Sequence, residues 1–128
     1  MRVKEIIKQV VTATPKTTIK EAARIMSEKG IGCLVITEKK SVKGIITERD
    51  ILKAVSKGIN TNSEIEKIMS KKVITVTPKD SIDDAATLMS KYKIKKLPVV
   101  AQDKLVGIIT ATDLVANSDQ FDEEWGLF

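Results

Sequence analysis

Apolar and polar positions along the first half of this 128-residue chain alternate between two periods. Short runs rich in β-branched residues indicate buried strands, whereas apolar residues spaced three and four apart indicate helices. The predicted elements are an amphipathic segment at 3–8, strands at 10–13, 33–37 and 42–46, and helices at 19–28 and 48–57. A polar turn at 38–41 predicts a hairpin between the last two strands. The order is β-α-β-β-α, which places the chain in the mixed α/β (α+β) class.

The same pattern returns in the second half, displaced by 63 positions. Gly44-Ile45-Ile46-Thr47-Glu48-Arg49-Asp50 becomes Gly107-Ile108-Ile109-Thr110-Ala111-Thr112-Asp113. The register needs no gap between Val10 and Asp50, which chance does not produce. The chain is therefore an internal duplication, with repeats predicted at 1–58 and 59–118 and a tail at 119–128. A lone unit of roughly 60 residues would be marginally stable, so the two units are expected to pack together.

The first helix of each repeat has clear end signals. Thr18 and Glu21 predict a capping box at the start of the helix in the first repeat, and Gly30 predicts its end. Ser81 and Asp84 occupy the corresponding positions in the second repeat.

Each repeat ends in a closing motif, Gly-hydrophobic-hydrophobic-Thr-x-x-Asp, predicted to run from a strand into a helix. Its glycine permits a bulge or the close approach of another backbone or a ligand. Its threonine is a predicted N-cap. The aspartate admits two interpretations: it completes a capping box, or it accepts two hydrogen bonds from a diol while the helix start attracts phosphate. The residues by themselves leave both interpretations open.

Composition narrows the classes of function. The formal charge is +5, from 22 basic and 17 acidic residues, and acidic residues are interspersed through most of the chain. This favours an ordinary lysine-rich surface over a nucleic-acid-binding one. The chain has no histidine, the commonest proton-transfer and metal-binding side chain. It also has no paired-carboxylate, Ser-His or Cys-His arrangement and no phosphate-binding loop, so we predict neither an enzyme nor a metal site.

Targeting signals and the tail complete the residue-level predictions. No apolar run approaches the roughly 18 residues that span a bilayer, and the first residues lack the apolar core of a signal peptide. With its single cysteine, Cys33, unable to form an internal disulfide, the chain is predicted to be soluble and cytoplasmic, without a membrane partner. The acidic tail holds three of the four aromatic residues. It is either a frayed end or a segment whose Trp125 and Phe128 dock on a partner subunit.

Two β-α-β-β-α units with these closing motifs resemble a tandem pair of CBS (cystathionine-β-synthase) domains, a Bateman module. The resemblance extends from about Val3 to Ala116 and is supported by the stretches 73–78 and 94–100. It implies two repeats packed as one pseudo-two-fold module. It also implies a stand-alone regulatory protein without catalysis or a required cofactor. The implied ligand is AMP, ADP or ATP, with S-adenosylmethionine as a further candidate, held in a cleft between the repeats.

The resemblance also implies roles for particular residues. In the family the threonine of the closing motif contacts phosphate and the aspartate holds the ribose hydroxyls, which here are Thr47, Asp50, Thr110 and Asp113. The base is expected to pack against one of two strand segments and an isoleucine wall: Ile31-Gly32-Cys33 with Ile45, or Ile94-Lys95-Lys96 with Ile108. Lys95 and Lys96 are expected to bind phosphate, whereas Arg49 is the one cation near the first motif. We therefore expect a strong site at the second motif and a weak or empty one at the first.

Family members of this bare type commonly form dimers, so a homodimer and an unidentified effector protein are the expected partners. The expected dimer surfaces are the helices after each closing motif and those beginning at Ile19 and Ile82. One alternative is a structural adaptor that binds a partner protein while its clefts are closed. Another is a nucleic-acid-binding protein that uses the basic surface, which has only Tyr92 as a central aromatic residue for stacking.

Overall fold

The structure, a computed structural model, describes residues 1–117, so the predicted tail role lies outside the described residues. This part of the chain contains the following helices and strands: β1 (Thr12–Ala13), α1 (Ile19–Lys29), β2 (Cys33–Glu38), β3 (Ser41–Thr47), α2 (Glu48–Ser56), α3 (Ile82–Tyr92), β4 (Lys96–Ala101), β5 (Lys104–Thr110) and α4 (Ala111–Ala116). They form two compact units. The first unit comprises residues 10–73 and 103–105, and the second unit comprises residues 1–9, 74–102 and 106–117.

The first unit has a three-stranded sheet in the order β1-β2-β3. β1 is parallel to β2, and β2 is antiparallel to β3. The predicted helix α1 is confirmed: the Thr18 side chain accepts a hydrogen bond from the Glu21 N–H, and Gly30 ends the helix at φ 61°. The capping box predicted there is wrong in its second half. The Glu21 carboxylate bonds to Arg24 instead, because that guanidinium lies one turn along the helix.

The second unit repeats this plan with two differences. Its sheet consists of β4 and β5, and the strand predicted before α3 is reduced to one parallel bridge between Val76 and Val99. Ser81 caps α3 by accepting from the Asp84 N–H, again without a full capping box.

The predicted hairpin of the first unit is confirmed. Its two turn residues, Lys39 and Lys40, have positive φ as a type I′ turn requires.

Residues 1–9 pack into the second unit. The Val3 N–H donates to the carbonyl of Asp80, and the Ile82 N–H donates to the carbonyl of Met1. Val3 is completely buried in the core of this unit. In the first unit the corresponding buried residue is Ile65, whose N–H donates to the carbonyl of Thr17. The compact units therefore cross the repeat limits that the sequence suggests.

Each unit has its own hydrophobic core. Both cores are aliphatic, because the chain has few aromatic residues. The core of the first unit contains Ile19, Ala22, Met26, Leu34, Ile36, Ile46, Ala54 and Ile65. The core of the second unit contains Val3, Val76, Ile82, Ala85, Ala86, Met89, Leu97, Val99, Ile109 and Leu114. No helix within residues 1–117 has the length and apolar character needed to cross a membrane.

Candidate functional site

The glycine of each closing motif lies against the backbone of a neighbouring segment. A Cβ atom on Gly44 would lie 2.6 Å from the Met69 sulfur and 2.9 Å from the Ser70 carbonyl oxygen. On Gly107 it would lie 2.5 Å from a side-chain carbon of Ile7 and 2.8 Å from the Lys8 carbonyl oxygen. Of the roles predicted for glycine, the close approach of another backbone is therefore the one observed at both motifs.

These neighbouring segments are held by paired backbone hydrogen bonds. Ser70 exchanges two bonds of 3.0 Å with Ile45, while Lys8 exchanges bonds of 3.1 and 3.0 Å with Ile108. Lys8 and Ser70 therefore occupy corresponding positions in the two units. Each lies directly beside the isoleucine that the sequence predicts as a wall of the ligand site.

Both closing motifs form a full capping box at the start of the helix that follows. In the first unit, Asp50 Oδ2 accepts from the Thr47 N–H at 2.9 Å and from its hydroxyl at 3.1 Å. In the second unit, both distances from Thr110 to Asp113 Oδ2 are 2.9 Å. The aspartate N–H in turn donates to the threonine hydroxyl oxygen in each unit. The threonine hydroxyl proton is thus already directed at the carboxylate.

The capping interpretation of Thr-x-x-Asp is therefore correct for both motifs, but it uses only one carboxylate oxygen. Oδ1 of Asp50 has no hydrogen-bond or ion-pair partner within residues 1–117. Oδ1 of Asp113 lies 3.1 Å from the Lys8 ammonium. A carboxylate oxygen has two lone pairs, so the capping box leaves acceptor capacity for a ligand hydroxyl.

The predicted base-binding segments lie beside the closing motifs. The first N–H of α2 donates to the Gly32 carbonyl at 3.1 Å, and the first N–H of α4 donates to the Lys95 carbonyl at 2.8 Å. Cys33, which is buried, pairs with Thr47 across the sheet. The structure thus brings 31–33 together with 47–50 in the first unit, and 94–96 together with 110–113 in the second.

The predicted apolar walls divide into two groups. Ile31 and Ile94 are partly buried and pack against the core of their own unit, which is a structural role. Ile45 and Ile108 follow the strand alternation and lie on the opposite face from the core residues Ile46 and Ile109. Ile45 is partly exposed and Ile108 is 6% exposed.

The lysines and the arginine predicted to bind phosphate have no anionic partner within residues 1–117. Lys95 is exposed, Lys96 is partly buried, and neither forms an ion pair in the described part of the chain. Arg49 in the first unit is likewise exposed and without an ion pair there. The cation that touches a closing aspartate is Lys8. No group of three metal-binding side chains occurs among residues 1–117.

Sequence reasoning missed Lys8 because the register changes by one residue ahead of Val10. At an offset of 62 rather than 63, Val3-Lys4-Glu5-Ile6-Ile7-Lys8 matches Ile65-Glu66-Lys67-Ile68-Met69-Ser70. This second register aligns the two segments that pair with the closing strands. The second register shows that Lys8 and Ser70 occupy equivalent positions, but it does not show which repeat either segment pairs with.

Comparison with known proteins agrees with this architecture. The family model described as the CBS domain matches twice, at residues 3–57 and 65–119. The chain belongs to the CBS domain family. It is 36% identical over 110 residues to the CBS domain-containing protein YhcV of Bacillus subtilis, covering 85% of this chain and 79% of that protein. It is also 38% identical to inosine-5′-monophosphate dehydrogenase of Korarchaeum cryptofilum, but it spans only 22% of that enzyme.

Two similar solved structures contain adenosine compounds. The CBS domain pair of protein MJ0100, in complex with 5′-methylthioadenosine and S-adenosylmethionine, has a TM-score of 0.84 and 36% identity, covering 91% of this chain and 98% of that one. The CBS domain protein PAE2072 of Pyrobaculum aerophilum, complexed with AMP, has a TM-score of 0.84 and 29% identity. The coverage is 89% of this chain and 90% of that one. The tandem CBS fold expected from the resemblance is thereby confirmed.

Proposed function

We propose that this protein is a regulatory module that binds an adenosine nucleotide, AMP, ADP or ATP, at the closing motifs of its CBS repeats. It acts as an energy or metabolite sensor and has no chemistry of its own. The observation that supports this most is the repeated constellation at each closing motif. In both units the aspartate of a capping box lies in the first turn of a helix. The first N–H of that helix donates to the predicted base-binding segment, 31–33 or 94–96.

The aspartate supplies selectivity for a ribose. A carboxylate is an acceptor-only group, and the capping box already orients one of its oxygens. The other oxygen, Oδ1, has two lone pairs and can accept from the hydroxyls of a cis diol. Ile45 and Ile108 then offer an apolar surface to the base. The threonine hydroxyl redirects its proton from the aspartate to the ligand phosphate.

The ligands bound in the two similar structures support this ligand class. AMP, 5′-methylthioadenosine and S-adenosylmethionine share adenosine and differ at the 5′ position. A site that recognises what they share needs a diol acceptor and an apolar wall, and we assign these roles to the aspartate of each closing motif and to Ile45 or Ile108. The 5′ group must then be selected by charge. In this chain the second motif has the larger set of nearby cations, Lys8, Lys95 and Lys96, and we propose that it is the stronger site.

Titration calorimetry with AMP, ATP and S-adenosylmethionine tests this function. Asp113→Asn and Asp50→Asn each remove a diol acceptor while keeping the shape of the side chain. Asp80→Asn is the matched control, because Asp80 also accepts from a backbone N–H, that of Thr77 at 2.8 Å, but lies outside the motif. We expect micromolar AMP binding that weakens at least tenfold in Asp113→Asn and is unchanged in Asp80→Asn.

The opposite results have definite meanings. Binding retained in Asp113→Asn but lost in Asp50→Asn would assign the main site to the first motif. No heat and no thermal stabilisation with any of the three compounds would contradict the sensor and favour the structural adaptor.

We further propose a homodimer that uses the helices after the closing motifs. On α2, Leu52 is 69% and Val55 is 57% exposed, and Val115 on α4 is 63% exposed. Solvent-facing aliphatic side chains of this size mark contact surfaces when they cluster. Leu52→Glu should shift the protein to a monomer in sedimentation velocity, whereas Lys71→Glu, at an exposed loop position, should not. An unchanged mass in Leu52→Glu would place the contact elsewhere.

A further inference from the structure

We propose that Lys8 determines ligand charge at the second closing motif, making it select adenosine compounds with an anionic 5′ group over neutral or cationic ones. This inference rests on the proposed function, since it concerns the same site. Lys8 is not part of the repeated motif and belongs to the segment ahead of the first strand.

The backbone of Lys8 is fixed by hydrogen bonds, while its ammonium is at the end of a half-exposed side chain. Its N–H and carbonyl both bond to Ile108, which holds its Cα beside the proposed base wall. Its side chain is 54% exposed and ends 3.1 Å from Oδ1 of Asp113, whose side chain is 18% exposed. A lysine ammonium on a flexible four-carbon stem can move to a new anion without any change in the backbone.

Ligand charge then decides what this ammonium does. A diol that binds Asp113 donates to the oxygen that Lys8 now contacts, so the ammonium has to share or leave the carboxylate. If the ligand has a 5′ phosphate, the ammonium gains a second anionic partner close by. If the 5′ group is a thioether or a sulfonium, the ammonium loses part of its ion pair without replacement, or is repelled. Lys8, through its contact with Asp113, thereby favours AMP over 5′-methylthioadenosine and S-adenosylmethionine.

The first unit contains the natural counterpart. Ser70 exchanges the same pair of backbone bonds with Ile45 and places no cation near Asp50. Lys8→Ser therefore copies an arrangement that this chain already adopts, so the variant should fold. Ser70→Lys is the reciprocal change at the first motif.

The test uses calorimetry with three probes of different charge: AMP, 5′-methylthioadenosine and S-adenosylmethionine. It is carried out in an Asp50→Asn background so that the heat reports the Asp113 site. Lys8→Ser should weaken AMP binding about tenfold, the usual effect of losing one charge-assisted contact, and should leave 5′-methylthioadenosine unchanged or tighter. Lys8→Arg should retain the preference for AMP. Lys4→Ser is the control, because Lys4 is an exposed lysine of the same segment.

The reciprocal variant is measured in an Asp113→Asn background. There Ser70→Lys should raise the AMP affinity relative to 5′-methylthioadenosine by at least fivefold, the scale of one new charge-assisted contact. Equal losses for all three probes in Lys8→Ser, or unchanged AMP affinity, would overturn the role of Lys8 while leaving the sensor intact. If the parent protein binds none of the three probes, the proposed function fails, and this inference fails with it.

Discussion

The two closing motifs have nearly the same internal geometry but different surroundings. The hydroxyl-to-carboxylate bond measures 3.1 Å in the first and 2.9 Å in the second, and the backbone bond measures 2.9 Å in both. Yet the first motif lies beside Ser70 and the second beside Lys8. The hydrogen bonds within the motif and to the neighbouring backbone are the same in both repeats, so the backbone geometry of the motif is the same. The charge beside the motif can differ between the repeats, because the side chains of Ser70 and Lys8 take no part in these backbone hydrogen bonds.

The largest expected effects test how tightly the glycine of each closing motif packs against the neighbouring segment. Gly107→Ala should lower the free energy of unfolding by about 3 kcal/mol and Gly44→Ala by about 1–2 kcal/mol, the range for overpacking a tight contact. The order follows from the neighbours: the new Cβ meets two carbons of the branched Ile7 in one case and the adaptable thioether of Met69 in the other. Urea unfolding of both variants measures the difference.

A double variant separates side-chain from backbone crowding. Ile7→Ala removes the two carbons nearest to the new Cβ of Gly107→Ala, so the two changes together should cost less than their sum. The Lys8 carbonyl at 2.8 Å remains, and part of the cost should persist. Strictly additive costs would show that Ile7 is not the obstacle.

A smaller effect distinguishes the two capping boxes. Thr47→Ala should cost about 1–2 kcal/mol, since it removes the hydroxyl that bonds Asp50 in both directions. Thr110→Ala should cost less, because Asp113 keeps its contact with Lys8. Chemical unfolding measures both, and Thr→Ser at each position should restore most of the stability. A larger cost for Thr110→Ala would mean that Lys8 does not support the carboxylate.

Much of this fold could be predicted because the duplication repeats every local signal. The caps at Thr47 and Thr110, the end of α1 at Gly30 and the hairpin turn all depend on residues close in sequence. Such signals act within one turn or one loop, so a sequence displays them directly.

The parts that could not be predicted depend on contacts between distant segments. The pairing of residues 1–9 with the second repeat joins positions up to 100 residues apart, as in the bond between Lys8 and Ile108. Local periodicity has no information on such a choice, and it assigned that segment to the first repeat. The phosphate-binding role of Lys95 and Lys96 and the ligand-binding role of the four motif residues stay predictions.

A smaller, stabilising effect is expected at the ends of α1 and α3. Both helices end in the left-handed conformation, at Gly30 with φ 61° and at Lys93 with φ 55°. A side chain disfavours that conformation, and glycine does not. Lys93→Gly should therefore raise the free energy of unfolding by up to about 1 kcal/mol, and Gly30→Lys should lower it by a similar amount. Thermal melts of the two variants would refute the argument if they shifted in the same direction.

The smallest expected effect concerns the outer faces of α1 and α3. On α1, Arg24 donates to Glu21 and Glu28, and its hydrogen bond to Glu21 lowers the pKa of that carboxyl below its usual value of 4.5. Position 84 of α3 corresponds to Glu21 but has no ion pair within the described residues. A lowered carboxyl pKa contributes stability above pH 4.5, and this contribution disappears as the pH falls through the pKa of the folded state.

Glu21→Gln should therefore lower the melting temperature slightly at pH 7, and this difference from the wild type should shrink as the pH falls through the folded-state pKa of Glu21. Asp84→Asn is the control and should show a smaller change, because Asp84 forms no ion pair within residues 1–117. The effect is small because both partners on α1 are exposed to water, which screens their attraction. Equal pH dependence in the two variants would contradict a stabilising role of the Glu21–Arg24 ion pair. The favourable interaction of a carboxylate with the start of the helix, which both positions share, would then account for the effect.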